Sequence, residues 1–321
     1  MHETPPPLAS DAPFFIVLNA GSGQDDAARR RAVITEVLGA AGRAHELLLI
    51  EPGGRVDAVA AEAVRRAKAG AGAVVAAGGD GTINTVAARA IAEALPFGVL
   101  PQGTFNYFSR VWGIPSDPAD AVRALLRARL RPAQAGLLNE RVFLVNASIG
   151  LYPQLLEDRE AWKRRYGRNR LVALWAGLRT LLSAHRPLRL RIDGERRSAA
   201  VRTSTLFVGN NRLQLDRIGV LGAPALDRGQ LVAIMLRPVG TLAMLGLILR
   251  GAIGRLGEDD DVIHFPFERM VVRPAAPLGR VRMKVATDGE IRWLRAPLEF
   301  RVSPRPLWLL APAPEDAVEA A

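Results

Sequence analysis

The chain has 321 residues, 49% apolar and 23% charged, with 30 Gly, 22 Pro and no Cys, which is the composition of a globular protein of two ordinary domains and excludes fibrous and mostly disordered classes. The missing Cys removes disulfide scaffolds, iron–sulfur clusters, cysteine-ligated zinc and thiol nucleophiles, and the four His (His2, His45, His185, His264) lack metal-ligand spacing. Net charge is +11 and unevenly placed: residues 1–133 hold 14 basic and 13 acidic groups, residues 134–321 hold 29 and 19. Only Lys68, Lys163 and Lys284 are Lys, so the arginine excess fits a genomic bias; its concentration in the second half also fits a surface that attracts polyanions.

The proline-rich start at Met1 has no signal-peptide pattern, and the longest uncharged apolar run, Val239 to Leu249, is too short to span a bilayer. These features favour a cytoplasmic protein. Residues 1–13 and 311–321 read as flexible tails. From Phe14 strands and helices alternate: strand 14–18, helix 27–41, strand 46–50, helix 56–69, strand 73–77, helix 83–94, strand 97–100 and helix 119–129. This order predicts an α/β domain over 14–133, a Rossmann-like parallel sheet covered on both faces. After Pro132 short strands follow one another, at 142–147, 188–192, 204–208, 231–236, 270–273, 281–285 and 298–302. They predict a mostly antiparallel β-sandwich over 134–310, with helical inserts near 155–184 and 240–256.

Three strands of the first half run straight into small-residue loops: Asn19-Ala-Gly21-Ser22-Gly23, Gly78-Gly79-Asp80-Gly81-Thr82-Ile-Asn84 and Pro101-Gln-Gly103-Thr104-Phe-Asn106. In an open parallel sheet, loops after the C-terminal strand ends share one edge, where ligands bind. Glycine lets backbone approach a phosphate, and a helix N-terminus offers free N–H groups. Ser22, Thr82 and Thr104 add hydroxyls. Together the loops read as a nucleotide phosphate cradle; any one alone is equally what a tight turn at a strand end requires. Gly21-Ser22-Gly23 could open a dinucleotide fingerprint with Glu51 as ribose acid, but its third small position is Asp26. No Gly-Lys pair of a Walker motif and no His-Arg-Asp triplet occurs.

Gly78-Gly-Asp-Gly-Thr82 resembles the signature shared by diacylglycerol kinases, sphingosine kinases, NAD kinases and phosphofructokinases. Pro101 to Arg110 resembles the second motif of the diacylglycerol kinase catalytic domain, and Asn19 to Gly23 its first loop. Val145-Asn146-Ala-Ser-Ile-Gly150, Val208-Gly-Asn210, Pro224 to Gly229 and Asp288-Gly-Glu290 follow in the order of the bacterial lipid kinases of that family. The resemblance implies an ATP- and Mg²⁺-dependent kinase acting on a membrane lipid such as diacylglycerol, docked reversibly on an anionic membrane surface. It implies ATP phosphate binding by Asn19, Gly21, Ser22, Gly23, Gly78, Gly79, Asp80, Gly81, Thr82, Asn84, Gly103, Thr104 and Asn106. It also implies Asp80 beside the nucleotide's magnesium, and Glu290, from the second half, as the base for the lipid hydroxyl.

Two positions depart from the family pattern. Tyr107 stands where the family has an Asp of its magnesium–water network, and Arg228 stands where it has an Asp of a structural magnesium site, leaving Asp227 as the substitute. A catalytically impaired relative and an NAD kinase remain as alternatives; Asn139-Glu140, which resembles an NAD kinase motif, reads as a turn. Asp288-Gly289 by itself reads as a hairpin turn. The basic stretch Arg159 to Arg170 around Trp162 and Tyr166, followed by apolar Leu171 to Leu182, suits docking on anionic lipid as well as it suits a solvated helix face. Leu242 to Leu256, apolar nearly all round, is expected to be buried. A basic nucleic-acid binder is the rival from another class, without a recognisable recognition motif, and a Rossmann oxidoreductase is a third. Oligomeric state stays open, a homodimer included.

Overall fold

The computed structural model describes residues 4–20, 24–51, 53–103, 105–151, 153, 157, 187–194, 198–220, 223–275 and 281–319. The basic stretch 159–170 and, apart from residue 157, the expected helix near 155–184 lie outside these residues. The chain forms two compact units, one from residues 1–135 with 303–321 and one from residues 136–302.

The first unit is built on a six-stranded sheet. Strands β1 (Phe14–Asn19), β2 (His45–Ile50), β3 (Ala73–Gly78) and β4 (Phe97–Pro101) are mutually parallel in the order β2-β1-β3-β4. The C-terminal strand β18 (Leu307–Ala311) runs parallel beside β4, and β5 (Arg129–Ala133) closes the edge antiparallel to it. Helices α1 (Gln24–Ala40), α2 (Val56–Ala69), α3 (Asp80–Ala92), α4 (Tyr107–Val111) and α5 (Pro118–Leu126) accompany it. Every residue of β3 is buried, as a central strand covered on both faces requires, and its Ala-Val-Val-Ala-Ala run carries no polar alternation. On one face Ile16 and Leu18 meet Ile34 and Leu38 of α1 and Val122 and Leu125 of α5. Pro118 opens α5, and the Asp117 carboxylate accepts the N–H groups of Ala119 and Asp120 at 2.9 and 3.0 Å, an N-cap that fixes where the helix begins.

The second unit is a sandwich of two antiparallel sheets. One has the order β10-β9-β14-β17-β6-β7 and the other β13-β12-β11-β8-β15-β16. Their strands are β6 (Gly136–Leu138), β7 (Arg141–Phe143), β8 (Asn146–Gly150), β9 (Leu188–Gly194), β10 (Ser198–Thr203), β11 (Thr205–Gly209), β12 (Leu231–Leu236), β13 (Val262–Phe267), β14 (Arg269–Pro274), β15 (Arg282–Thr287), β16 (Glu290–Arg295) and β17 (Leu298–Val302). Both sheets contribute to one core, including Phe143, Ile149, Leu190, Leu206, Val285 and Phe300. Asn139-Glu140 is indeed the turn between β6 and β7, with Asn139 at φ 54°. The outer face of the second sheet is covered in part by the helix Thr241–Ala252, which buries Met244 and Leu247 but leaves Leu249 and, just beyond it, Ile253 at 66% and 60% exposure. Burial of that segment is thus one-sided.

Two expectations are corrected. Residues 303–310 belong with the first unit, because β18 completes its sheet between β4 and β5. The segments read as flexible tails are docked in part: Ala12 and Ala313 are buried, the Val318 N–H donates to Gly113 O at 2.9 Å, and Asp316 pairs with Arg127. Leu309 sits in the interior of this sheet, fully enclosed. Leu309→Ala is expected to cost about 2–5 kcal/mol in urea unfolding, as deletion of an enclosed Leu does; a cost near zero would mean β18 is dispensable to the first unit.

Candidate functional site

The three glycine loops leave the same edge of the first unit's sheet, because β1, β3 and β4 are parallel neighbours. Gly21, Ser22, Gly23 and Thr104 lie outside the described residues; the remaining loop residues are interlocked. A Cβ on Gly78 would stand 2.7 Å from Thr82 Cβ, so the strand can pass beneath the first turn of α3 only as glycine. Thr82 is buried, and its Oγ1 accepts a hydrogen bond from Asn19 Nδ2 at 2.9 Å, tying the end of β1 to that turn. The Gln102 N–H donates to Gly78 O at 2.8 Å. Gly79 and Gly103 meet backbone to backbone: a Cβ on Gly103 would lie 2.9 Å from Gly79 Cα and 2.7 Å from Asn106 Oδ1.

Asp80 is the first residue of α3, which therefore starts three residues before the expected position, with Gly79 as N-cap and no side-chain cap. Its carboxylate is directed at another helix. It faces the start of α4, where the backbone N–H groups of Asn106, Phe108 and Tyr107 favour its charged form. Burial pushes the carboxyl above the usual Asp range, and the three N–H groups offset only part of that rise. Its Oδ1 is sealed from solvent and has no hydrogen-bond partner. Asn84 follows on the second turn, half-buried.

Asn106 adopts the left-handed conformation, φ 47° and ψ 41°, which Asn tolerates better than most residues. Its side chain closes the loop on itself: Oδ1 accepts the Gly103 N–H at 2.9 Å and Nδ2 donates to Gly103 O at 2.8 Å. Its amide is thus engaged in shaping the loop. Tyr107, in place of the family's Asp, stacks on the exposed Phe105 with ring centroids 5.9 Å apart and planes 2° from parallel. Arg30 of α1 reaches Gln102 Oε1 at 3.5 Å, at the limit of a hydrogen bond. Sequence reading passed over it, because Arg29-Arg-Arg31 shows no preference among three neighbouring cations.

In the second unit, Glu290 opens β16 and pairs with Arg292 on the same strand at 2.6 Å, each side chain 47% exposed. Asp227 ends the helix Ala223–Asp227, is exposed, and faces the Arg212 guanidinium at 3.6 Å. No group of three metal-ligating side chains occurs among the described residues. A lone exposed carboxylate beside a guanidinium does not fit a structural magnesium site. Asp80 fits a cation differently: its buried, unpartnered Oδ1 is an acceptor that a magnesium ion held with nucleotide phosphates would satisfy.

Residues 13–138 match the family model described as the diacylglycerol kinase catalytic domain. This segment is similar to that family's catalytic domain. An uncharacterised protein of Synechocystis is 27% identical over 251 residues, 74% of this chain and 54% of its own length. The Chromohalobacter salexigens protein named "Probable lipid kinase YegS-like" is 31% identical over 175 residues, 51% of this chain and 52% of its own. The chain thus spans about half the length of these curated relatives. A diacylglycerol kinase of Bacillus anthracis of solved structure shares the fold, with TM-score 0.66 at 19% identity over 96% of this chain and 98% of that one. The matched segment contains all three glycine loops and Asp80; Asp227, Asp288 and Glu290 lie beyond it.

Two substitutions test the geometry of the loops. Gly103→Ala should destabilise the ligand-free protein by about 1–3 kcal/mol in denaturant unfolding, since the new methyl collides with backbone that cannot move aside; an unchanged midpoint would show that the loops are not in contact. For Asp80 the raised pKa means the folded protein holds its proton to higher pH than the unfolded chain does. Stability therefore falls as pH rises from the ordinary Asp value through the raised one. Asp80→Asn cannot titrate, so thermal unfolding should show the variant more stable near neutrality and the difference vanishing in acid. The opposite trend would mean that the N–H groups outweigh burial.

Proposed function

We propose that this chain is an ATP-dependent lipid kinase that transfers the γ-phosphoryl group of ATP to a hydroxyl of a membrane lipid, diacylglycerol or a close relative. The observation that carries the reading is the direct Gly79–Gly103 backbone contact beside the uncapped start of α3 and Asp80. It forms a backbone surface at the start of a helix, where first-turn N–H groups face out of the helix, suited to polyphosphate. Asn19, Thr82 and Asn84 border it, with Gly21 to Gly23 and Thr104 contributing by the family's pattern. A carboxylate at this mouth would repel a triphosphate unless a cation stands between them, which favours Asp80 as the residue that holds magnesium. Magnesium bound with the nucleotide neutralises phosphate charge that develops during transfer.

Phosphoryl transfer depends on alignment and charge neutralisation, so the chain's residues mainly bind and orient. Glu290 is the proposed base: its carboxylate takes the hydroxyl proton as the new O–P bond forms and the bond from the γ-phosphorus to the bridging oxygen breaks, releasing ADP. Arg292 pairs with the same carboxylate, so Glu290 turns from it to reach the hydroxyl. No helix among the described residues is long and apolar enough to cross a membrane. Access to lipid by reversible docking on an anionic surface, from the cytoplasmic side, belongs to the same reading. It draws on the basic second half and on the exposed Leu249, Ile253 and Trp293. The lipid-kinase name of the Chromohalobacter relative supports the acceptor class.

The test is transfer of labelled phosphate from ATP to diacylglycerol in mixed micelles, with NAD as the competing acceptor. Lipid labelling is expected. Asp80→Asn and Glu290→Gln should each lower turnover by about 10²–10⁴-fold with the fold retained. Labelling of NAD instead of lipid would replace this reading with the NAD kinase one, and wild-type turnover in either variant would remove that residue from the chemistry.

A further inference from the structure

The run 142–147 reads in sequence as one strand, but it breaks at Leu144 and Val145, and the break is where three distant segments meet. The Asp288 carboxylate accepts three consecutive backbone N–H groups, from Leu144 at 2.7 Å and from Val145 and Asn146 at 2.9 Å. The Asp288 N–H donates to Asn146 O at 2.9 Å. From the other side Asn210 donates its N–H to Val145 O at 2.9 Å and its Nδ2 to Leu144 O at 3.0 Å. Every backbone donor and acceptor of residues 144–146 is thereby bound, three of them by one carboxylate in charge-assisted bonds.

A hairpin turn alone would not ask this of its first residue. Asp288 and Gly289 have φ 46° and 86°, the positive pair of a two-residue turn, and Thr287 pairs with Glu290 across it. Asn-Gly or Gly-Gly would close that turn equally well. The carboxylate does something further: it fastens the tip of the β15–β16 hairpin to the start of β8. Glu290 needs such a fastening. It stands on the outermost strand of its sheet, two residues from the anchor, half-exposed, and its ion pair is to Arg292 on the same strand, which moves with it and holds it to nothing else.

We propose that Asp288 is a positioning residue acting through Glu290: by gripping the 144–146 turn it fixes the place of the carboxylate that takes the proton. The inference rests on the reading of Glu290 as base and extends it to a residue that never touches the lipid. A misplacement of about 1 Å at a reacting group costs up to about a hundredfold in rate, so a loosened hairpin should appear in turnover.

The experiment is a double-mutant cycle on the full chain, read by labelled phosphate transfer to diacylglycerol. Asp288→Asn keeps the turn type and removes the charge; Asp288→Gly keeps the positive φ and removes the grip. Each should lower kcat by about ten- to a hundredfold, Gly more than Asn, with KM for ATP unchanged and the circular dichroism spectrum retained. In a Glu290→Gln background either substitution should change kcat by less than about twofold, because a positioning residue has nothing left to position. Multiplicative losses in that background, wild-type kcat in Asp288→Asn, or failure of both Asp288 variants to fold would each overturn the proposal and leave Asp288 as a purely structural anchor. Full turnover in Glu290→Gln alone would instead remove the base itself and this inference with it.

Discussion

The first unit's loop edge depends on one close approach, the contact between Gly79 and Gly103. Two backbones can come this near only where neither carries a Cβ, and the approach brings the start of α3 within reach of the start of α4. Asp80 then faces the start of α4, and Asn106 holds the second loop in a left-handed turn closed on Gly103. Thr82 over Gly78 and Asn19 on Thr82 extend the same linkage back to β1. Loosening the glycine contact would free the carboxylate, both helix starts and the Asn19 link together.

The same device recurs in the second unit. Asp80 faces the N–H groups of residues 106–108, and Asp288 accepts those of residues 144–146. Each aspartate belongs to a short glycine-containing motif and each turns to three successive backbone donors distant in sequence, but Asp288 holds its three in hydrogen bonds. They differ in what is left over. The Asp288 oxygens accept two N–H groups on Oδ1 and one on Oδ2, whereas Asp80 keeps an enclosed oxygen with no partner, a costly arrangement that a ligand can relieve.

Much of this was legible in the sequence because it is local. Alternating apolar runs gave the parallel sheet and the sandwich, and the strand-to-glycine transitions marked the loop edge. What was not legible depends on partners distant in the chain. The glycine-rich start of α3 reads as loop until Asp80 is seen as its first residue, facing another helix. The strand at 142–147 reads as continuous until Asp288 is seen breaking it. The family resemblance offered Asp227 as a metal ligand, yet among the described residues its exposed carboxylate stands alone beside the Arg212 guanidinium. The run Leu307–Ala311 is apolar enough for a strand, but nothing near it names β4 and β5 as its neighbours. The family's pattern assigned Asn106 to the ligand, and only its paired bonds to Gly103 show it shaping the loop.

That last strand has a consequence for how the protein is made. Phe97 and Leu309 pair in register although more than two hundred residues separate them, and β5 reaches the sheet through β18. On the ribosome the first unit must therefore wait, its β4 edge bare, while the whole sandwich is synthesised. Bare strand edges invite misassociation, and pairing across so long an interval is slow. The sandwich, continuous in sequence, can close before the unit that began first, so the order of folding runs against the order of translation.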